Sequence, residues 1–113
     1  MYFVGDSFDV LRQLPRPVQH GIGTALRLAQ EGSKDPSAKP LKGFGGAGVL
    51  EVIEDFDGNT FRAVYTVKLR SGVYVLHCFQ KKSKSGIATT QRDLDLVRRR
   101  LTIAMEQDKA LSK

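Results

Sequence analysis

The segment from Val49 to Lys81, VLEVIEDFDGNTFRAVYTVKLRSGVYVLHCFQK, is divided by two turn signals, Asp57-Gly58-Asn59 and Arg70-Ser71-Gly72, into three β-prone runs. The runs are Val49 to Asp55, Thr60 to Leu69 and Val73 to Lys81. Turns this short join antiparallel neighbours, so the segment predicts a meander. In the second run Phe61, Ala63, Tyr65, Val67 and Leu69 share one face, and Arg62, Val64, Thr66, Lys68 and Arg70 share the other. That alternation predicts a sheet with one core face and one wet, largely basic face.

On the N-terminal side, Met1 to Val4 is β-prone and ends at Gly5, and Asp6 or Ser7 can cap a short helix over Phe8 to Leu14. Pro15 and Pro17 stop that helix and suit the first turn of a second one. Its apolar residues Val18, Ile22, Ala25, Leu26 and Ala29 recur at helical spacing before Gly32, giving a helical hairpin. Ser33 to Gly48, with two Pro and four Gly, has no periodicity and reads as a long surface loop carrying Lys34, Lys39 and Lys42. On the C-terminal side Lys82 to Ala88 is a polar loop. Thr90 and Asp93 then form a capping-box signature for a helix to about Ala110, with the stripe Leu94, Val97, Leu101, Ala104 and Met105. The expected class is α+β, one domain over residues 1–113, with an antiparallel sheet packed against helices.

The 113 residues suffice for one core, and the 41% hydrophobic and 27% charged fractions are those of a globular chain. No run approaches the ~20 apolar residues of a membrane span. Met1 to Asp9 also lacks a secretory pattern, so a cytoplasmic location without membrane association is expected. A single cysteine, Cys78, excludes an internal disulfide and a thiolate metal cluster; its apolar strand suggests packing. Eighteen Lys and Arg against twelve Asp and Glu leave a net charge of +6, which favours a polyanionic partner, RNA first among them.

Phosphate-cradling, nucleotide-binding and hydrolase motifs are absent. The glycine-rich stretch Gly43 to Gly48 reads as a flexible connection. His20 and His77 show no metal-ligand spacing, so neither metal nor cofactor is expected. If the last two strands pair about Arg70 to Gly72, Arg62 falls across from residues 79–82. Lys81, Lys82 and Lys84 then join it in a patch suited to a phosphodiester. Lys42 and Lys68 add further positive charge for RNA. Such cations can hold an RNA backbone and stabilise a phosphorane transition state without metal; a merely solvated basic face is the competing reading. Glu51 either acts as a base or pairs with Arg62. His77 is either a general acid or base or, as its strand position favours, a partly buried structural histidine.

Three segments, Leu41-Lys42-Gly43, Phe61-Arg62-Ala63-Val64-Tyr65 and Leu76 to Lys84 (LHCFQKKSK), resemble the phage-related, HigB-like branch of the RelE/ParE toxin superfamily. The resemblance spans nearly the whole chain and implies the order β-α-α-β-β-β-α. It also implies the toxin of a type II toxin-antitoxin pair, a metal-independent, ribosome-dependent endoribonuclease that inhibits translation. The partners so implied are mRNA on the ribosome and a helix-turn-helix antitoxin, with operator DNA contacted only through the antitoxin complex. By motif position Arg62 corresponds to the arginine on the scissile phosphate and Lys82 to a second cation. Two strand lysines of RelE are replaced here by Glu51 and Ile53, and the resemblance then implies that Glu51 or His77 moves the proton or that the ribosome contributes more of that function. A ParE-like gyrase inhibitor and a non-toxic, phage-derived basic binding module are the alternative functions.

Overall fold

A computed structural model describes residues 1–81 and 89–112. Its elements are β1 (Tyr2–Phe3), α1 (Ser7–Gln13), α2 (Arg16–Gln30), β2 (Lys39–Pro40), β3 (Val49–Phe56), β4 (Asn59–Thr66), β5 (Tyr74–Lys81) and α3 (Gln91–Leu111). The class is α+β, as expected. The sheet, however, is mixed: its order is β1-β5-β4-β3-β2, with β1 parallel to β5 and the other pairs antiparallel. The segment expected to be wholly loop contributes β2, a two-residue strand on the outer edge of β3. A two-residue ladder carries no periodicity that a sequence could reveal.

The β3-β4 hairpin closes on Asp57 and Gly58, with Phe56 paired to Asn59. Both turn residues have positive φ, 53° and 79°, the mirror-image two-residue turn that matches strand twist and that Asp-Gly supports at low cost. β5 is irregular: Val64 pairs with His77 but Tyr65 pairs with Val75, so Leu76 is an extra residue. The bulge resets the alternation of β5. Val75 and Cys78 pack in one core, while Leu76 and Phe79 pack in the other. Arg100 reaches the bulge, donating from Nη1 to Leu76 O at 2.9 Å and from Nη2 to Asp6 Oδ1 at 2.7 Å. It crosses so close over Gly5 that a Cβ there would meet the guanidinium at 2.8 Å.

The chief correction concerns the wet face. Both faces of the sheet are covered. On one, α2 buries Val18, Ile22, Ala25 and Leu26 against Val52, Phe61, Ala63 and Tyr65, with Val10 and Leu11 of α1 packed alongside. On the other, Val97, Leu101 and Ala104 of α3 lie over Val49, Val64, Tyr74 and Leu76. Arg62 and Thr66, assigned to the basic face, are therefore buried. The helical hairpin is clipped by Gln19, whose Nε2 donates to Arg12 O and Leu14 O and so satisfies carbonyls at the end of α1. α3 is capped as expected: Thr90 Oγ1 accepts from Asp93 N at 3.2 Å. Its stripe differs from expectation in one place, because Met105 is exposed and Asp108 is buried in its stead. The Asp108 carboxylate accepts from Arg70 N, Ser71 N and Ser71 Oγ at 3.1, 2.7 and 2.6 Å, tying the β4-β5 connection to α3. No helix among the described residues is long and apolar enough to cross a membrane.

Candidate functional site

Register brings the candidate residues together on the α3 side of the sheet. Directly opposed residues share a face; Arg62 is opposed by Ile53 on β3 and by Phe79 on β5. Lys81 is opposed to Thr60, and Glu51 is a diagonal neighbour of Arg62. At the start of α3 the chain returns to this spot, so Thr89 closes over it.

Arg62 Nη1 donates to Glu51 Oε1 at 3.1 Å, to Glu51 Oε2 at 3.2 Å and to Thr89 Oγ1 at 2.9 Å. Thr89 in turn donates to Glu51 Oε2 at 2.6 Å. The arginine is 4% exposed and the glutamate 8%. Of the two roles the sequence left open for Glu51, the geometry realises the pairing. A guanidinium this buried needs a counter-charge, and the nearest carboxylate supplies one. Lys81 Nζ is shielded from solvent and makes no hydrogen bond among the described residues. Burial, reinforced by the Arg62 charge and opposed by Glu51, holds its pKa below the usual lysine value.

Beside this cluster His77 Nε2 lies 2.9 Å from Asp93 Oδ1, and its ring stacks on Phe79 at 4.4 Å between centroids. Its Nδ1 is buried with no partner among the described residues. Burial holds the His77 pKa below its ordinary value, outweighing the hydrogen bond and charge of Asp93. The sign for stability follows from linkage. The unfolded chain takes up the proton near pH 6.5, before the folded protein does, so this group lowers stability as pH falls through and below that value. His77→Gln should therefore flatten that part of the stability-pH profile while leaving the profile above pH 7 little changed. Urea denaturation between pH 5 and 8 checks this; an unchanged slope would show that the imidazole is not held neutral.

The other expected site residues do not all converge. Lys42 and Lys68 are exposed and lie toward the Val49-Thr66 end of the sheet, away from Arg62. There Arg98 donates to Gly43 O at 3.3 Å and sits over the Phe44 ring at 4.7 Å. Lys82 and Lys84 lie outside the described residues. Cys78 is buried, as the packing reading required, and burial pushes its thiol up to about 12, which leaves it unreactive near neutrality. Among the described residues no cluster of His, Cys, Asp and Glu could hold a metal ion. Sequence reasoning missed Thr89. It stands directly before the helix cap Thr90, and nothing in its local pattern marks it as a partner of residues 27 and 38 positions earlier.

A family model described as phage-derived protein Gp49-like (DUF891) matches residues 9–102. That stretch contains Glu51, Arg62, His77, Lys81, Thr89 and Asp93, the whole of the cluster just described. No curated protein and no solved structure matches the chain at a significant level.

Proposed function

Because the chain belongs to the phage-derived Gp49-like family, we propose that it is the toxin of a type II toxin-antitoxin pair, related to the HigB-like RelE/ParE toxins, and that it cuts mRNA on the ribosome. The observation that carries this reading is the convergence of Arg62, Lys81 and Thr89 at the point where β5 leaves the sheet. The next cations in the sequence, Lys82 and Lys84, follow immediately. In the proposed reaction the ribose 2′-hydroxyl attacks the adjacent phosphorus, forming a 2′,3′-cyclic phosphate. The bond to the 5′-oxygen breaks, and that oxygen takes a proton to leave as a 5′-hydroxyl. Arg62 and Lys82 neutralise the extra charge of the phosphorane. Lys81, whose pKa burial lowers, or His77 carries the protons of the reaction. A helix-turn-helix antitoxin is the proposed neutralising partner, and operator DNA is reached only through that complex.

The test is to induce the wild type, Lys82→Ala and Arg62→Lys in cells and to map new 5′ ends on translated and untranslated copies of one transcript. Arg62→Lys keeps a cation beside Glu51, and a thermal melt of the purified variant separates loss of cutting from loss of fold. Cuts confined to translated RNA are expected, with each variant slowed roughly a hundredfold, the scale of removing one transition-state contact. Growth arrest with intact RNA would overturn the nuclease and direct attention to a protein target such as gyrase. The burial of Arg62 behind Glu51 favours one second reading, a basic binding module that does not cut. Neither arrest nor cleavage on expression would select it.

A further inference from the structure

Glu51 has three cationic neighbours, Arg62, Lys39 and, through charge alone, Lys81, and it is bonded only to Arg62 among the described residues. On β4 Arg62 holds both carboxylate oxygens through Nη1. On β2 Lys39 is the direct cross-strand partner of Glu51, on the same face, exposed, and in no ion pair among the described residues. Directly opposed side chains stand about 4.5–5.5 Å apart at Cβ, within reach of a lysine and a glutamate. β2 meets β3 over only two residue pairs, so the edge that carries Lys39 is lightly built.

A carboxylate on a guanidinium resembles, in charge and in acceptor geometry, a phosphodiester on the same guanidinium. The seat needs a counter-charge while it is empty, because breaking a buried pair by removing one partner is strongly unfavourable. It must lose that counter-charge when phosphate arrives. We propose that Glu51 is a switch carboxylate, holding Arg62 in the unliganded protein and passing to Lys39 when an RNA phosphate takes its place on Arg62. This rests on the reading of Arg62 as the phosphate seat. Exchange of one monoanion for another leaves the charge at Arg62 unchanged, and Lys39 compensates the displaced carboxylate. Glu51 and Lys39 are thus positioning residues that set how readily the site opens to RNA.

The experiment measures binding of a short, 2′-O-methylated single-stranded RNA, which cannot supply the attacking hydroxyl, by fluorescence anisotropy. The variants are Glu51→Gln, Lys39→Gln, Glu51→Gln with Lys39→Gln, and Glu51→Gln with Arg62→Gln. Glu51→Gln should bind roughly tenfold tighter than wild type, within the coupling range of contacting groups. The gain should vanish when Arg62→Gln is added. Lys39→Gln should weaken binding several-fold more than Lys34→Gln, at an exposed lysine outside the sheet, and this excess should disappear in the Glu51→Gln background. Because Lys39 is exposed, its comparison with Lys34 stands even if Glu51→Gln melts early. Arg62-dependent binding without a gain in Glu51→Gln, or with Lys39→Gln equal to Lys34→Gln, would overturn the switch and leave the phosphate seat standing. Binding that ignores Arg62, or is absent throughout, would remove the seat and the switch together.

Discussion

Val64→Lys should unfold the protein. Val64 is fully buried, with its side chain between β4 and the Val97-Leu101-Ala104 face of α3. A lysine there must either bury its ammonium without a partner or lift α3 from the sheet. Both belong to the small set of substitutions that cost about 4 kcal/mol or more. Were this face of the sheet wet, the same change would stay within about 0.5 kcal/mol. Circular dichroism of the purified variant decides between the two: a cooperative melt close to that of the wild type would mean that α3 does not cover β4.

Arg62→Met alone should destabilise the fold by about 3–5 kcal/mol, because it breaks a buried ion pair by removing the guanidinium that holds both Glu51 oxygens. Adding Glu51→Leu should recover most of that loss, since an apolar pair of similar volume replaces a buried ion pair at little net cost. Urea denaturation of the two single variants and the double variant closes the cycle. Equal destabilisation by the single and the double changes would show that Arg62 contributes through packing and Thr89, not through its pairing with Glu51. The consequence for function is practical. A non-toxic Arg62→Ala strain is uninformative until folding is measured, whereas Arg62→Lys keeps a cation opposite Glu51 and separates charge from guanidinium geometry.

Much of this architecture is written in local pattern. The stripe Val18-Ile22-Ala25-Leu26 fixes the buried side of α2, Asp57-Gly58 fixes the hairpin register, and Thr90 with Asp93 fixes the start of α3. These features act over three to five residues, where side-chain spacing and backbone preference decide the outcome. The candidate site was legible in part, because a hairpin register alone sets Arg62 beside Phe79 and Lys81. Its burial was not. Arg62, Thr66 and Lys68 alternate with apolar residues as a wet face would, and only the docking of α3 reverses that reading for the first two. Met105 and Asp108 lie near the edge of the helical stripe, and the choice between them was made by the backbone of Arg70 and Ser71, 37 or 38 residues away.

By itself, then, the sequence determined the helices, the hairpin turns, the register of β3 on β4 and a surplus of positive charge, because each depends on neighbours close along the chain or on composition. Tertiary structure alone decided the parallel docking of β1, the bulge at Leu76 that turns His77 and Phe79 toward α3, and the closing of Thr89 over Glu51 and Arg62. Those features arise where segments distant in sequence compete for the same buried volume and the same hydrogen-bond acceptors. Local pattern does not encode the winner of that competition.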